Sequence, residues 1–377
     1  MRKATVLPLL LTLLLLLGAC GAPAATEPTP TAPPASAAPS AQTPAPAVSG
    51  AAETQTPAPA APAEINVRQN GEMVLHVEGD GYPLTVTDAL GAETVLEAKP
   101  ERIAVMSGTL LNIWYDLGGE SVCSSDISSN LKVLREKKDA MLAIPSAGAV
   151  YQLNLEALIA THPDLIITQT GVQTTAAAKL KQMGYTVIET NAKTVESLSQ
   201  VYEGFGKLLD AGDAAAERIR EIHDGIAEIQ AKLPGEHPSC VILYVTSNTV
   251  SVKLDQSIAG DIAYMIGLEN IASGLPADTL GSENTPLDIE YIVAKNPDYV
   301  LVTSMVSDNE TAMQMVRDMF ANNPAWSTVK AIKAGRIIHL PQQYYLYNAG
   351  PYYLDAVKYM ACSVYPEIFG GAKLETD

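Results

Sequence analysis

Side chains able to do chemistry are sparse in this 377-residue chain, and their spacing argues against a catalytic centre. Cys20, Cys123, Cys240 and Cys362 are far apart and make none of the paired spacings that hold zinc or carry a redox disulfide. Beyond Cys20, the other three could supply one disulfide and a leftover thiol, or serve as small buried apolar groups. The histidines, at 76, 162, 223, 237 and 339, do not gather with carboxylates as a metal site requires. No nucleophile elbow, His-Glu-x-x-His or phosphate loop is present, and Gly204-Phe205-Gly206 sits in a helical stretch without a third glycine. The residues therefore predict a protein that is not an enzyme and has no resident cofactor or metal. What remains suits holding rather than reacting. Gln342-Gln343-Tyr344-Tyr345-Leu346-Tyr347-Asn348 offers aromatic faces and amide donors between an expected strand and the last long helix, a combination fitted to a large, flat, partly polar ligand. Tyr344, Tyr345 and Tyr347 could equally pack their lobe, and the residues leave both open. Tyr352, Tyr353 and Tyr359, on the helix that follows, are expected to pack.

Such residues need a scaffold, and an internal repeat supplies it. Leu153-Asn154-Leu155-Glu156 leads through Pro163-Asp164 into Leu165-Ile166-Ile167-Thr168; Leu287-Asp288-Ile289-Glu290 leads through Pro297-Asp298 into Tyr299-Val300-Leu301-Val302. Each describes a short helix capped by Asn154 or Asp288, a proline stop, and a strand covered on both faces. Helices over 109–117 and 258–266 extend the repeat upstream. Further strands are expected over 102–106, 185–189, 241–245, 299–303 and 336–340. Strands alternating with helices imply βαβ units and parallel sheets. Residues 73–77 and 84–87, about Gly79-Asp80-Gly81, predict a β-hairpin. Between the halves, 195–233 reads as a nearly unbroken helix with a break near Ala211-Gly212-Asp213. The fold expected is α/β: two Rossmann-like lobes with parallel sheets, 64–194 and 235–377, joined by one long helix over 195–234, with a ligand cleft between the lobes.

The remaining length is not part of that body. Arg2 and Lys3 precede an apolar stretch ending at Leu17-Gly18-Ala19-Cys20, a secretion signal over 1–20 too short to span a bilayer. Its end resembles the lipobox of bacterial lipoproteins, in which Cys20 would carry lipid and become the first mature residue. Residues 21–63, rich in Ala, Pro and Thr, cannot build a core and read as a disordered stalk. The chain carries 24 basic and 42 acidic residues, a net charge of −18, with no basic cluster, which excludes nucleic acid as a partner.

The order and spacing of several phrases resemble the Fe/B12 family of ABC-transporter binding proteins, the helical-backbone class that takes ferric siderophores, haem and cobalamin. The phrases are Val86-Thr-Asp-Ala-Leu-Gly91 with Lys99-Pro-Glu-Arg-Ile103, Leu155-Glu-Ala-Leu158 with Pro163-Asp-Leu-Ile-Ile167, Gly260-Asp-Ile262 with Gly267-Leu-Glu-Asn-Ile271, and Pro324-Ala-Trp326 with Ala331-Ile-Lys-Ala-Gly-Arg-Ile337. They span roughly 82–369. The resemblance implies a monomeric, lipid-anchored protein on the extracytoplasmic face of the plasma membrane, which captures an iron chelate or corrinoid and hands it to an ABC permease dimer with its ATPase. Iron or cobalt would arrive only within the ligand. In that family each lobe presents a surface glutamate to arginines of the permease, at the positions of Glu156 and Glu290. Each also complements its own helix dipole, worth about 0.3 to 1 kcal/mol. Family ligands lie against loops at the carboxyl ends of strands, here 106–110, 124–130, 168–174, 246–252, 303–308 and 341–350. Ligand contacts are thus expected from Met106, Ser107, Thr170, Asn248, Met305, Tyr344, Tyr345 and Tyr347. Met106 and Met305 could be soft metal ligands or core filler. Arginine, the usual partner of polyanionic catecholates, is scarce, with Arg135 and Arg317 uncommitted. A ligand-sensing or adhesive surface lipoprotein would share every feature except the docking pair.

Overall fold

Alternating burial along the first strands shows how the chain begins to bury one face. The computed structural model describes residues 61–68, 71–279, 281–306, 309–347 and 350–373, all within one compact unit, Pro57–Asp377. The signal, Cys20 and all but the last residues of the stalk lie outside the described residues. Strands β1 (Leu75–Glu78), β2 (Leu84–Asp88) and β3 (Glu93–Leu96) form an antiparallel sheet, so the expected hairpin acquires a third strand. Next come β4 (Ile103–Val105), α1 (Gly108–Asp116), α2 (Lys138–Leu142), α3 (Leu155–Ile159), β5 (Leu165–Gln169), α4 (Thr174–Gln182) and β6 (Val187–Thr190). β4, β5 and β6 pair in parallel in that order, forming the centre of the first lobe.

The helical stretch that follows breaks where expected, beside Ala211-Gly212-Asp213, but its two parts do not run on in one direction. Helices α5 (Val195–Leu209) and α6 (Gly212–Gln230) are separated at Asp210, which takes a left-handed conformation, φ 57°. They then fold back on each other: Ser199 Oγ meets His223 Nε2 at 3.1 Å, and an added Cβ on Gly206 would lie 2.7 Å from Ala215 Cβ. The expected single long helix is therefore an antiparallel pair, and only the 19-residue α6, about 28 Å long, runs onward to the second lobe. Gly204 serves close packing as well, since a Cβ there would come within 2.5 Å of Leu75 Cδ2 on β1. Gly204-Phe205-Gly206 is a packing device with a glycine facing each neighbour.

The second lobe contains β7 (Ser239–Val245), β8 (Val250–Lys253), α7 (Ile258–Met265), β9 (Glu269–Asn270), β10 (Asn284–Pro286), α8 (Ile289–Lys295), β11 (Tyr299–Ser304), α9 (Asn309–Asn322), α10 (Lys330–Lys333), β12 (Ile337–His339), α11 (Gln342–Tyr345), α12 (Tyr353–Val364) and α13 (Pro366–Phe369). Its sheet runs β10-β8-β7-β11-β12, with β9 also on β7. β8 and β10 are antiparallel, so this sheet is mixed where a parallel one was expected. The cause is local: Thr246 N donates to Thr249 O at 2.9 Å, a tight turn that sends the chain straight back along β7.

The sequence repeat persists in three dimensions. Asn154 and Asp288 cap α3 and α8 through Ala157 N and Tyr291 N. His162 and Asn296, each before its proline, adopt left-handed φ of 50° and 49°. Asp164 then accepts from Arg102 N beside β4, at 3.0 Å, as Asp298 accepts from Ser239 N on β7, at 3.0 Å. Each repeat thus ties its own strand to a neighbouring parallel strand, β4 in one lobe and β7 in the other. Residues 64–68, at the expected start of the first lobe, lie instead along α6 and the second lobe: Asn66 and Gln230 exchange two hydrogen bonds of 2.8 Å, and Arg68 pairs with Asp255 at 3.3 Å.

Candidate ligand cleft

Parallel strands leave the loops at their carboxyl ends free to meet a ligand, and open α/β sheets bind there. Between the lobes lies a cleft of about 340 Å³, near the lower end of the size range of ligand pockets. The first lobe contributes Ser107 beyond β4, the 125–128 loop, Thr170 beyond β5 and Lys193 beyond β6. The second contributes Tyr244 on β7, Lys253 on β8, Glu283 before β10 and Tyr347 beyond α11.

The wall of the first lobe is held by amides. Ser107 Oγ donates to Gln169 Oε1 at 2.8 Å, and the buried Gln173 side chain accepts from Gln169 N and donates to Met106 O. Ser125 Oγ and Thr170 Oγ1 are buried in this wall without a hydrogen-bond partner among the described residues. A buried hydroxyl in that state is primed to bond a ligand.

A charged group bridges the lobes on the same cavity. Glu283 carboxylate oxygens lie 3.3 Å from Lys193 Nζ and 3.6 Å from Lys253 Nζ. Burial alone would raise the Glu283 carboxyl, but the two ammoniums overcome it and hold it below the usual range. Burial, opposed by Glu283, lowers the Lys253 ammonium, whose Nζ sits 4.2 Å above the Tyr244 ring. Burial, with smaller contributions from Tyr151, Glu283 and Tyr347, pushes the Tyr244 phenol up to about 12. Tyr151, 64% exposed overall, is raised as well, by the partial burial of its ring in the cleft and by Tyr347. Tyr244 and Tyr151 therefore keep their protons at neutral pH and can donate hydrogen bonds across the cleft.

The expected contacts divide. Ser107, Thr170, Tyr345 and Tyr347 line the cleft. Met106 does not: it is fully buried with Cys123 and Ile166, because its amide extends the ladder to Ile167 O and strand alternation turns its side chain into the core. Tyr344 is 3% exposed and packs among Tyr345, Tyr359 and Lys132, so it belongs to the lobe interior rather than the lining. Tyr345 is a buried member of the lining whose hydroxyl donates to Ala356 O inside the lobe rather than to the cleft. Asn248 is exposed in the β7–β8 turn and is not part of the lining. Met305 stands outside the lining too, its sulfur 3.2 Å from Tyr244 Oη.

Tyr151, Lys193, Tyr244, Lys253 and Glu283 line the cleft and are not among the contacts expected from the sequence. For Lys193 a signal existed, because the strand ending near Glu189 has a carboxyl-end loop like the others. For Lys253 and Glu283 there was none, since their place depends on the β8 reversal. Glu156 and Glu290 are exposed in the first turns of α3 and α8, and among the described residues neither makes an ion pair. Cys123, Cys240 and Cys362 are free thiols, the first two buried. Among the described residues no group of three metal-ligating side chains converges.

Residues 103–344 match the family model described as periplasmic binding protein. The cobalamin-binding protein of Halobacterium salinarum is 25% identical over 264 residues, covering 67% of this chain and 69% of its own. The uncharacterized ABC transporter substrate-binding lipoprotein YvrC of Bacillus subtilis is 24% identical over 300 residues, covering 76% of this chain and 87% of its own. In fold, S. aureus IsdE complexed with heme superposes with a TM-score of 0.61 at 18% identity, over 70% of this chain and 98% of that one. With well over half of its residues matched by the family model, on a two-lobed fold with a cleft at the strand ends, the chain belongs to the periplasmic binding protein family.

Proposed function

We propose that this protein is the substrate-binding component of an ABC importer, which captures a metal chelate between its lobes and delivers it to a permease dimer with its ATPase. The observation that carries this reading is a cleft lined from both lobes by hydroxyls, amides and tyrosines, in a chain of this family. Cys20 would hold it by lipid to the extracytoplasmic face of the plasma membrane, with 21–63 as the stalk. Glu156 and Glu290, at equivalent positions of the repeat, would meet basic residues on the two permease subunits.

Within the family's ligands the cleft suits a corrinoid better than an anionic iron chelate. The charged side chains of its lining are Lys193, Lys253, Asp126 and Glu283, which cancel formally. The remaining polar groups, among them Ser107, Ser125, Thr170, Asn191 and Asn284, are neutral and match a macrocycle rimmed with amides. The relative named for cobalamin agrees with this choice. A siderophore or haem is the second reading, supported by the Tyr151, Tyr244 and Tyr347 phenols, since tyrosine oxygen binds ferric haem.

The test is calorimetric titration of the lipid-free protein with cyanocobalamin, haemin and ferric citrate. Binding of at least one at about micromolar Kd or tighter is expected, with cyanocobalamin the tightest. No binding of any probe would overturn the reading.

A further inference from the structure

Glu283 stands where the two lobes face each other, and its geometry says more than that the cleft is polar. Its carboxylate bridges Lys193 of the first lobe, at 3.3 Å, and Lys253 of the second, at 3.6 Å. Lys253 is only 8% exposed and leans on the Tyr244 ring, so it has little water to solvate its charge. A buried ammonium of this kind needs a counter-charge close by. Here the protein supplies that charge itself, from a side chain that also lines the cavity.

We propose that Glu283 is a specificity-determining residue that occupies the Lys193–Lys253 pair from within and so excludes anionic ligands from the cleft. The proposal rests on the reading of this cleft as the ligand site. A carboxylate or phenolate arriving at the lysines has two courses. It can displace Glu283, leaving a carboxylate without its partners, or lie beside it, where like charges repel. Both courses weaken binding of an anion. A ligand without net charge meets neither obstacle and can use the neutral hydroxyls and amides around it. Asp126, an acceptor for Ser146 Oγ, is the second acid of the same cavity lining.

The experiment measures affinities of the full lipid-free protein for cyanocobalamin, which is neutral, and for ferric citrate and haemin, which are anionic. Glu283→Gln keeps the side chain's shape and removes the carboxylate charge that bridges the two ammoniums. It is expected to strengthen binding of the anionic probes by about tenfold relative to cyanocobalamin. Lys253→Met, which replaces a buried ammonium by an apolar chain of similar length, is expected to move the same ratio the other way. It also keeps the test available if Glu283→Gln does not fold. A ratio unmoved by both folded variants would overturn the assignment to Glu283 while leaving the cleft as the ligand site. If the unsubstituted protein binds none of the three probes, the cleft reading fails first and this proposal with it.

Discussion

Asp261 is a carboxyl shut away from water where several elements meet. It lies in α7, 1% exposed, and its Oδ2 accepts from Val195 N at the start of α5 and from the Tyr353 hydroxyl on α12, at 2.8 and 2.7 Å. Burial pushes its pKa above the usual carboxylate range, up to about 6, and the two hydrogen bonds only partly oppose this. Because the folded value is the higher one, the folded protein takes up a proton that the unfolded chain releases between about pH 4 and 6. The site's contribution to stability is therefore full at or below about pH 4 and is lost as pH rises through 6. Asp261→Asn, which keeps an acceptor oxygen, is expected to stabilise the protein above pH 7 by at most ~3 kcal/mol, with the gain vanishing towards pH 4. Denaturant titrations of both proteins between these pH values would check it; parallel pH profiles would contradict it. At this scale the residues alone revealed little. Gly260-Asp261-Ile262 was visible as a family phrase, but a carboxyl's burial and partners depend on chain segments far from it in sequence.

One ionic joint ties the elements between the lobes together. Arg218 on α6 grips both oxygens of Asp116 at the end of α1, at 2.7 and 2.8 Å, while the Tyr202 hydroxyl of α5 donates to the same carboxylate at 2.8 Å. Burial, reinforced by Asp116, raises the Tyr202 phenol well above its ordinary value, so it remains a donor. Removing the shared acceptor leaves the Tyr202 phenol without its partner and the Arg218 guanidinium with Glu221 alone among the described residues. Asp116→Ala is expected to cost about 2–4 kcal/mol of folding stability, given one partly exposed cation and one buried phenol. Ligand affinity should change less than threefold, because this joint lies outside the cleft lining. Equilibrium unfolding and a ligand titration on the same variant separate the two. The helical period over 195–233 was plain in the sequence, as was a break near its middle. The reversal was not, because periodicity records which face of a helix is buried and carries no information on the direction taken after a break.

At the scale of the whole molecule, the repeat sets two exposed glutamates on equivalent helices of two lobes. If that arrangement serves docking, removing both acids should separate transport from capture. Glu156→Ala with Glu290→Ala is expected to cut ligand uptake by cells at least about tenfold, while affinity of the purified protein stays within twofold. Unchanged uptake would leave the pair as helix-dipole partners only. The lobes are also joined outside α6: residues 63–68 bind α6 and the second lobe, and Asn130 Nδ2 of the first lobe donates to Gln342 Oε1 of the second at 2.9 Å.

Several features were determined by the sequence alone. The places of the central strands along the chain, the caps Asn154 and Asp288, the proline stops and the positions of Glu156 and Glu290 follow from side-chain period and cap chemistry, which act over a few residues. Tertiary structure decided which side chains face the cleft. Met106 and Ser107 are adjacent, yet strand alternation buries the first and the second lines the cavity. Lys193, Lys253 and Glu283 are brought into one ionic group only when β8 turns back on β7 and the lobes close on each other. Such a group rests on contacts between segments far apart in the chain, which local pattern cannot encode.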